Sequence, residues 1–132
     1  MRIGFTNGCF DILHVGHIRL FEFIKSKCDK LFVAIDSDNR VRVNKGSNRP
    51  FNSMQNRAIM LTSLKYVDGV KTFSTDEELT SIVRELSPDV MVVGDDYLNK
   101  RVIGSEHAKE LIFFRKIDGH STTKILESTL SR

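Results

Sequence analysis

Residues 7–20, "NGCFDILHVGHIRL", decide how the chain folds. They follow an apolar run at residues 3–5 and lead into the apolar–charged pattern "IRLFEFIK". An apolar run, a glycine-bearing loop and a helical pattern in that order read as strand, turn and helix. The loop holds Gly8, Asp11 and Gly16, and it sets two histidines, His14 and His17, at the mouth of the helix.

The reading extends outward from there. "IGFT" (3–6) predicts the first strand. "GHIRLFEFIKSKC" (16–28) predicts the first helix, with Ile18, Phe21 and Ile24 on one face and Leu20 and Phe23 beside them. "KLFVAI" (30–35) is a continuous apolar strand, as expected of a sheet covered on both faces. Residues 36–52, "DSDNRVRVNKGSNRPFN", read as an irregular loop because of their charges and their Gly-Ser-Asn-Arg-Pro punctuation. Ser53 predicts the cap of a helix over 54–67, with Met54, Ala58, Leu61 and Leu64 on one side. "GVKTF" (69–73) is a short strand, and Thr75 before an acidic turn starts a helix over 75–86. Residues 88–94 and 110–115 predict two more strands, and Ser121 starts a last helix over 121–130. The alternation predicts an α/β fold: a Rossmann-like, doubly wound parallel sheet of about five strands, helices on both faces, in one domain over 1–132.

Composition narrows the function. The chain has 132 residues, 40% of them hydrophobic, enough for one modest core. Its formal net charge is +3, without a polybasic run, which suits anionic small molecules and argues against nucleic acid as a partner. Cys9 and Cys28 form neither a disulfide framework nor a zinc spacing, and free thiols suit a reducing, cytoplasmic setting. Asn7, Asp11 and His14 break up any secretory pattern, and no apolar run approaches the roughly 20 residues of a membrane helix.

In such folds ligands bind at the carboxyl ends of the strands, where residues 6–17 lie. Gly8 permits close backbone approach, and a helix N-terminus with free N–H groups attracts phosphate. Two imidazoles there can donate to phosphoryl oxygens and stabilise a crowded, negative transition state. The plainer alternative is that one histidine caps the helix and the other packs. Ser121, Thr122 and Thr123, following Gly119, could make a second phosphate cradle at a helix start, or serve only as an N-cap.

These residues carry a resemblance. "GCFDILHVGH" (8–17) resembles the G-x-F-D-x-x-H-x-G-H signature of the cytidylyltransferase-like nucleotidyltransferases, and "GHSTTKI" (119–125) resembles their second signature. The aminoacyl-tRNA synthetases share an H-x-G-H box, but no K-M-S-K-S-like segment occurs here. The resemblance implies a nucleotidyl transfer from an NTP to a phosphorylated sugar or polyol, with Mg2+ carried on the triphosphate. It implies catalytic roles for His14, His17 and Lys45. It places Thr6, Asn7, Gly8, Cys9, Phe10, Asp11, Gly16, Arg57, Gly94, Asp95, Asp96, Tyr97, Arg115, Lys116, Gly119, Ser121, Thr122 and Thr123 against nucleotide or phosphates. Within that set, Asp11 is expected to orient its own loop through backbone N–H groups. The resemblance also implies a homodimer.

Two subfamilies compete. "KYVDGV", "VVGDDY" and "STTKI" resemble glycerol-3-phosphate cytidylyltransferases. "KGSNRPFN", "VIGSEHAKE" and "DGHSTTKI" resemble the nucleotidyltransferase domain of ADP-heptose synthase. Lys116 stands where the cytidylyl enzymes have a base-reading arginine, with Arg115 one place earlier. An ammonium cannot reproduce a guanidinium fork, so ATP is expected to serve at least as well as CTP. A non-catalytic nucleotide-binding module is the reading from another class.

Overall fold

A computed structural model describes residues 1–115. The expected last helix, with Lys116, Gly119, Ser121, Thr122 and Thr123, lies outside the described residues. The strands are β1 (Ile3–Gly8), β2 (Lys30–Asp36), β3 (Gly69–Phe73), β4 (Val90–Gly94) and β5 (Leu111–Phe114). The helices are α1 (Val15–Lys25), α2 (Asp38–Lys45), α3 (Met54–Thr62) and α4 (Asp76–Leu86). Single 3-10 turns occupy Asp95–Tyr97 and Ser105–His107.

All neighbouring strands pair in parallel, in the order β3-β2-β1-β4-β5. Side chains alternate across each strand, and both faces are covered. Leu31, Val33, Ile35, Val90 and Val92 pack with Phe21 and Ile24 of α1 and Leu61 of α3. Phe5, Ala34, Met91 and Val93 face the other way and pack with Leu79 and Val83 of α4. The chain leaves β1 in one direction and returns to its other side through β4, which makes β1/β4 the switch point.

Local chemistry explains the helix ends. Thr75 and Glu78 form a reciprocal capping box that opens α4. Ser53 accepts from the Asn56 N–H and opens α3, as expected. That helix stops at Thr62 rather than running on to Val67. The Thr62 and Ser63 hydroxyls both donate to the Ile59 carbonyl, which also takes the Ser63 N–H; beyond it the Leu64 and Val67 N–H groups bond three residues back, to Leu61 and Leu64, as turns rather than as an α-helical ladder.

The expected loop at 36–52 is corrected over its first half, because Asp38–Lys45 is helical. Ser37 caps it by accepting from the Arg40 N–H at 3.3 Å. Val41 anchors it in the core at 1% exposure, and Gly46 ends it with φ 108°. With one buried side chain in eight residues, the helix carries almost no apolar periodicity to read. Lys45 is therefore the last residue of a helix, not a loop residue.

Candidate functional site

The two histidines interlock. His14 is the N-cap of α1, and its Nδ1 accepts from the Gly16 N–H at 3.0 Å. His17 sits at the third helical position, and its Nδ1 accepts from the His14 N–H at 3.3 Å. A ring nitrogen that accepts carries no proton, so each neutral ring holds its N–H at Nε2. The rings stack with centroids 3.9 Å apart, and Phe10 meets His17 edge-on at 5.1 Å. The capping alternative is thus realised in a doubled form, and it leaves the tautomer needed by a hydrogen-bond donor. The first turn of α1 carries no acidic residue, unlike that of α4, which holds Asp76, Glu77 and Glu78. Its partial positive charge is not neutralised from within the turn.

A cavity of about 270 Å³ opens at the switch point. Asn7, Gly8 and Cys9 line it from the end of β1, Lys45 from α2, and Tyr97 and Arg101 from the segment after β4. His14 and His17 stand outside it, so the first motif presents one group of residues to the cavity and another to the mouth of α1. Asp36, Arg40, Asn44 and Arg101 also line the cavity and were not singled out from the sequence. Arg101 and Asn44 belong to no recognisable spacing, and only the fold brings them to β1.

Burial raises the Cys9 thiol pKa, against the opposing charges of Lys45 and Arg57, so the group stays protonated. Burial also raises the Tyr97 hydroxyl pKa, with help from Asp96 and Asp36. Arg40 is a strut rather than a free charge. It pairs with Asp36 at 3.2 Å and Asp76 at 2.7 Å, and lies over the Phe73 ring.

Several expected site residues sit differently. The Thr6 hydroxyl is turned into the sheet, where it donates to the Val92 carbonyl at 2.7 Å. The Asp11 carboxylate reaches beyond its own loop. It accepts from the Phe51 and Asn52 N–H groups, each at 2.8 Å, and so holds a segment 40 residues away. Arg57 is fully buried, with its guanidinium bonded to protein carbonyls and to Asp38. Gly94 ends β4, and Asp95 and Asp96 follow it beside Tyr97, but none of the three lines the cavity. Arg115 is exposed just past the end of β5. Among the described residues no cluster of three or more His, Cys, Asp or Glu could hold a metal ion.

An acid-free helix mouth beside a cation-bearing cavity, both at the switch point of a parallel sheet, defines a Rossmann-like domain suited to phosphate esters. The model of the cytidylyltransferase-like family matches residues 5–131, and the chain belongs to that family. It is 45% identical over 127 residues to the bifunctional protein HldE of Helicobacter hepaticus, covering 96% of this chain and 26% of that one. It is 46% identical over 130 residues to HldE of Hyphomonas neptunium, again covering 96% and 26%. The chain thus spans about a quarter of the length of these curated relatives. Among solved structures, it resembles a lipopolysaccharide core biosynthesis protein from Thermoplasma volcanium, with a TM-score of 0.73 and 26% identity over 89% of this chain and 99% of that one. A pantoate-beta-alanine ligase from Francisella tularensis shares the fold at a TM-score of 0.58 and 20% identity, over 86% of this chain and 59% of that one.

Proposed function

We propose that this domain transfers a nucleotidyl group from an NTP to a phosphorylated sugar, and that the reaction is sugar-1-phosphate adenylyl transfer of the heptose type. The observation that carries it is the pairing of the histidine-capped mouth of α1 with the cation-bearing cavity at the same switch point. The extended similarity to HldE proteins, and to a protein named for lipopolysaccharide core biosynthesis, supports the sugar.

An oxygen of the acceptor phosphate attacks the α-phosphorus in line. A P–O bond forms there, and the bond to the β-phosphate breaks, its electron pair leaving with pyrophosphate. The phosphate monoester is already a nucleophile, so the protein supplies position and charge rather than a base. The Nε2–H groups of His14 and His17 donate to the phosphoryl oxygens, and Lys45 and Arg101 hold the acceptor's anionic end. Mg2+, when bound, offsets charge on the triphosphate.

The domain is proposed to act as a cytoplasmic homodimer. No helix among the described residues is long and apolar enough to cross a membrane. Light scattering at micromolar protein should give twice the chain mass, and a concentration-independent monomer overturns the dimer.

A pyrophosphate-release screen tests the reaction, with four NTPs against heptose-1-phosphate, glycerol-3-phosphate, phosphocholine and phosphoethanolamine. ATP with the sugar-1-phosphate is the expected pair. A CTP preference above about tenfold, roughly 1.4 kcal/mol, moves the domain to the glycerol-3-phosphate cytidylyltransferases and points to Arg115 as base reader. Nucleotide binding without turnover on any acceptor leaves a binding module.

A further inference from the structure

Arg57 is the largest fully buried side chain among the described residues, and no substrate-facing surface reaches it. Each nitrogen of its guanidinium has a different protein partner. Nε donates to the Asn52 carbonyl at 3.1 Å, Nη1 to the Cys9 carbonyl at 3.0 Å, and Nη2 to Asp38 Oδ1 at 2.8 Å. Asp38 Oδ1 also accepts from the Met54 N–H at 2.8 Å, at the start of α3. Asn52 in turn donates from Nδ2 to the Asp11 carbonyl at 2.6 Å. One planar cation therefore ties three segments together: the first-motif loop, the first residue of α2 and the entry to α3. Both segments it joins line the cavity, one through Cys9 and the other through Lys45, at the far end of α2.

We infer that Arg57 and Asp38 are positioning residues, a strut about the buried Arg57 guanidinium that sets the Cys9 loop against α2 and so places Lys45 at the same cavity. The guanidinium geometry is required. Its rigid fork meets acceptors in three directions, whereas an ammonium is a point charge on a flexible stem. Lysine at this position leaves buried carbonyls unpaired, and asparagine at position 38 leaves a buried guanidinium without its counter-charge. Either change loosens the same loop, so the two losses are not additive. The strut's effect on turnover rests on the proposed function; its effect on the Cys9 loop does not.

The experiment uses Arg57→Lys, Asp38→Asn and the double variant, all in a Cys28→Ser background, with Ile59→Ala on the exposed face of α3 as control. Circular dichroism first selects the variants that fold, and Asp38→Asn, which keeps an oxygen acceptor, is the milder of the two. Cys9 labelling by a disulfide reagent should quicken about tenfold in both single variants and stay unchanged in the control. With an active sugar-phosphate acceptor, kcat/KM should fall by about the same factor in both, at least tenfold, and the double variant should be no worse than the poorer single. Unchanged Cys9 labelling in folded variants overturns the strut. A loss above about tenfold in Arg57→Lys, with Asp38→Asn within about twofold of wild type, shows that Arg57 touches substrate directly and also overturns it. A wild-type domain inactive on every acceptor overturns the proposed function alone, and the labelling rates then decide the strut.

Discussion

Replacing His14 with asparagine and with alanine separates two jobs that the structure assigns to one side chain. As N-cap, His14 accepts the Gly16 N–H through Nδ1 at 3.0 Å. Asparagine is among the best N-caps and accepts the same N–H, while alanine leaves it without a side-chain partner at a cost of about 1 kcal/mol. In a domain of this size that lowers Tm by roughly 3–5 °C. As proposed transition-state donor, His14 acts through Nε2, and neither replacement supplies a donor at that place. Both variants should therefore lose about 10²-fold in kcat, the scale of removing one oxyanion-type donor, close to 3 kcal/mol. The assay is pyrophosphate release at saturating nucleotide, beside a melting curve for each protein. His14→Asn should melt with the wild type and turn over slowly, and His14→Ala should turn over as slowly and melt lower. Turnover of His14→Asn within about threefold of wild type refutes the donor role. A melting temperature of His14→Ala equal to wild type refutes the cap.

Three other expectations follow from particular contacts. Lys45→Ala should reduce kcat/KM for the acceptor by about ten- to a hundredfold, as for one lost hydrogen bond to a charged group, without lowering Tm, since Lys45 is exposed; steady-state kinetics and a melt check both halves. Gly4→Ala puts a Cβ 2.7 Å from Cys28 Sγ and 2.8 Å from Ile24 Cγ2, so the α1–β1 packing must shift, and a urea titration should show a loss of about 1–3 kcal/mol. Burial works against the Asp68 charge, but Lys25 and the Leu31 N–H outweigh it and hold its pKa below the ordinary 3.8. The native state then binds its proton at lower pH than the unfolded chain, so this stability is present above pH 3.8 and fades as pH falls through the native value; Asp68→Asn should flatten the acid limb of a plot of urea midpoint against pH.

What the sequence determined by itself is what hydrogen bonds across a few residues determine. The caps Ser53 and Thr75 were legible because each bonds an N–H three residues on. The strands β2 and β4 were legible within two residues because a strand buried on both faces must be apolar throughout, and the edge strand β3 was legible at its true bounds although its Lys71 and Thr72 are exposed. The paired histidines were legible as a helix mouth for the same local reason, and their motif carried the family. The order of the strands, the helicity of residues 38–45 and the lining of the cavity were decided only by the tertiary structure. So were the roles of Asp11 and Arg57, whose partners lie 40 and 48 positions away. Arg57 looks in the sequence like any arginine on a helix, and Asp11 like any loop aspartate. A carbonyl or an N–H has the same chemistry at every position, so no residue pattern marks which distant one a side chain will meet. Only the packing of α3 against the end of β1 brings the Cys9 carbonyl to the guanidinium and turns a surface-type residue into a buried strut.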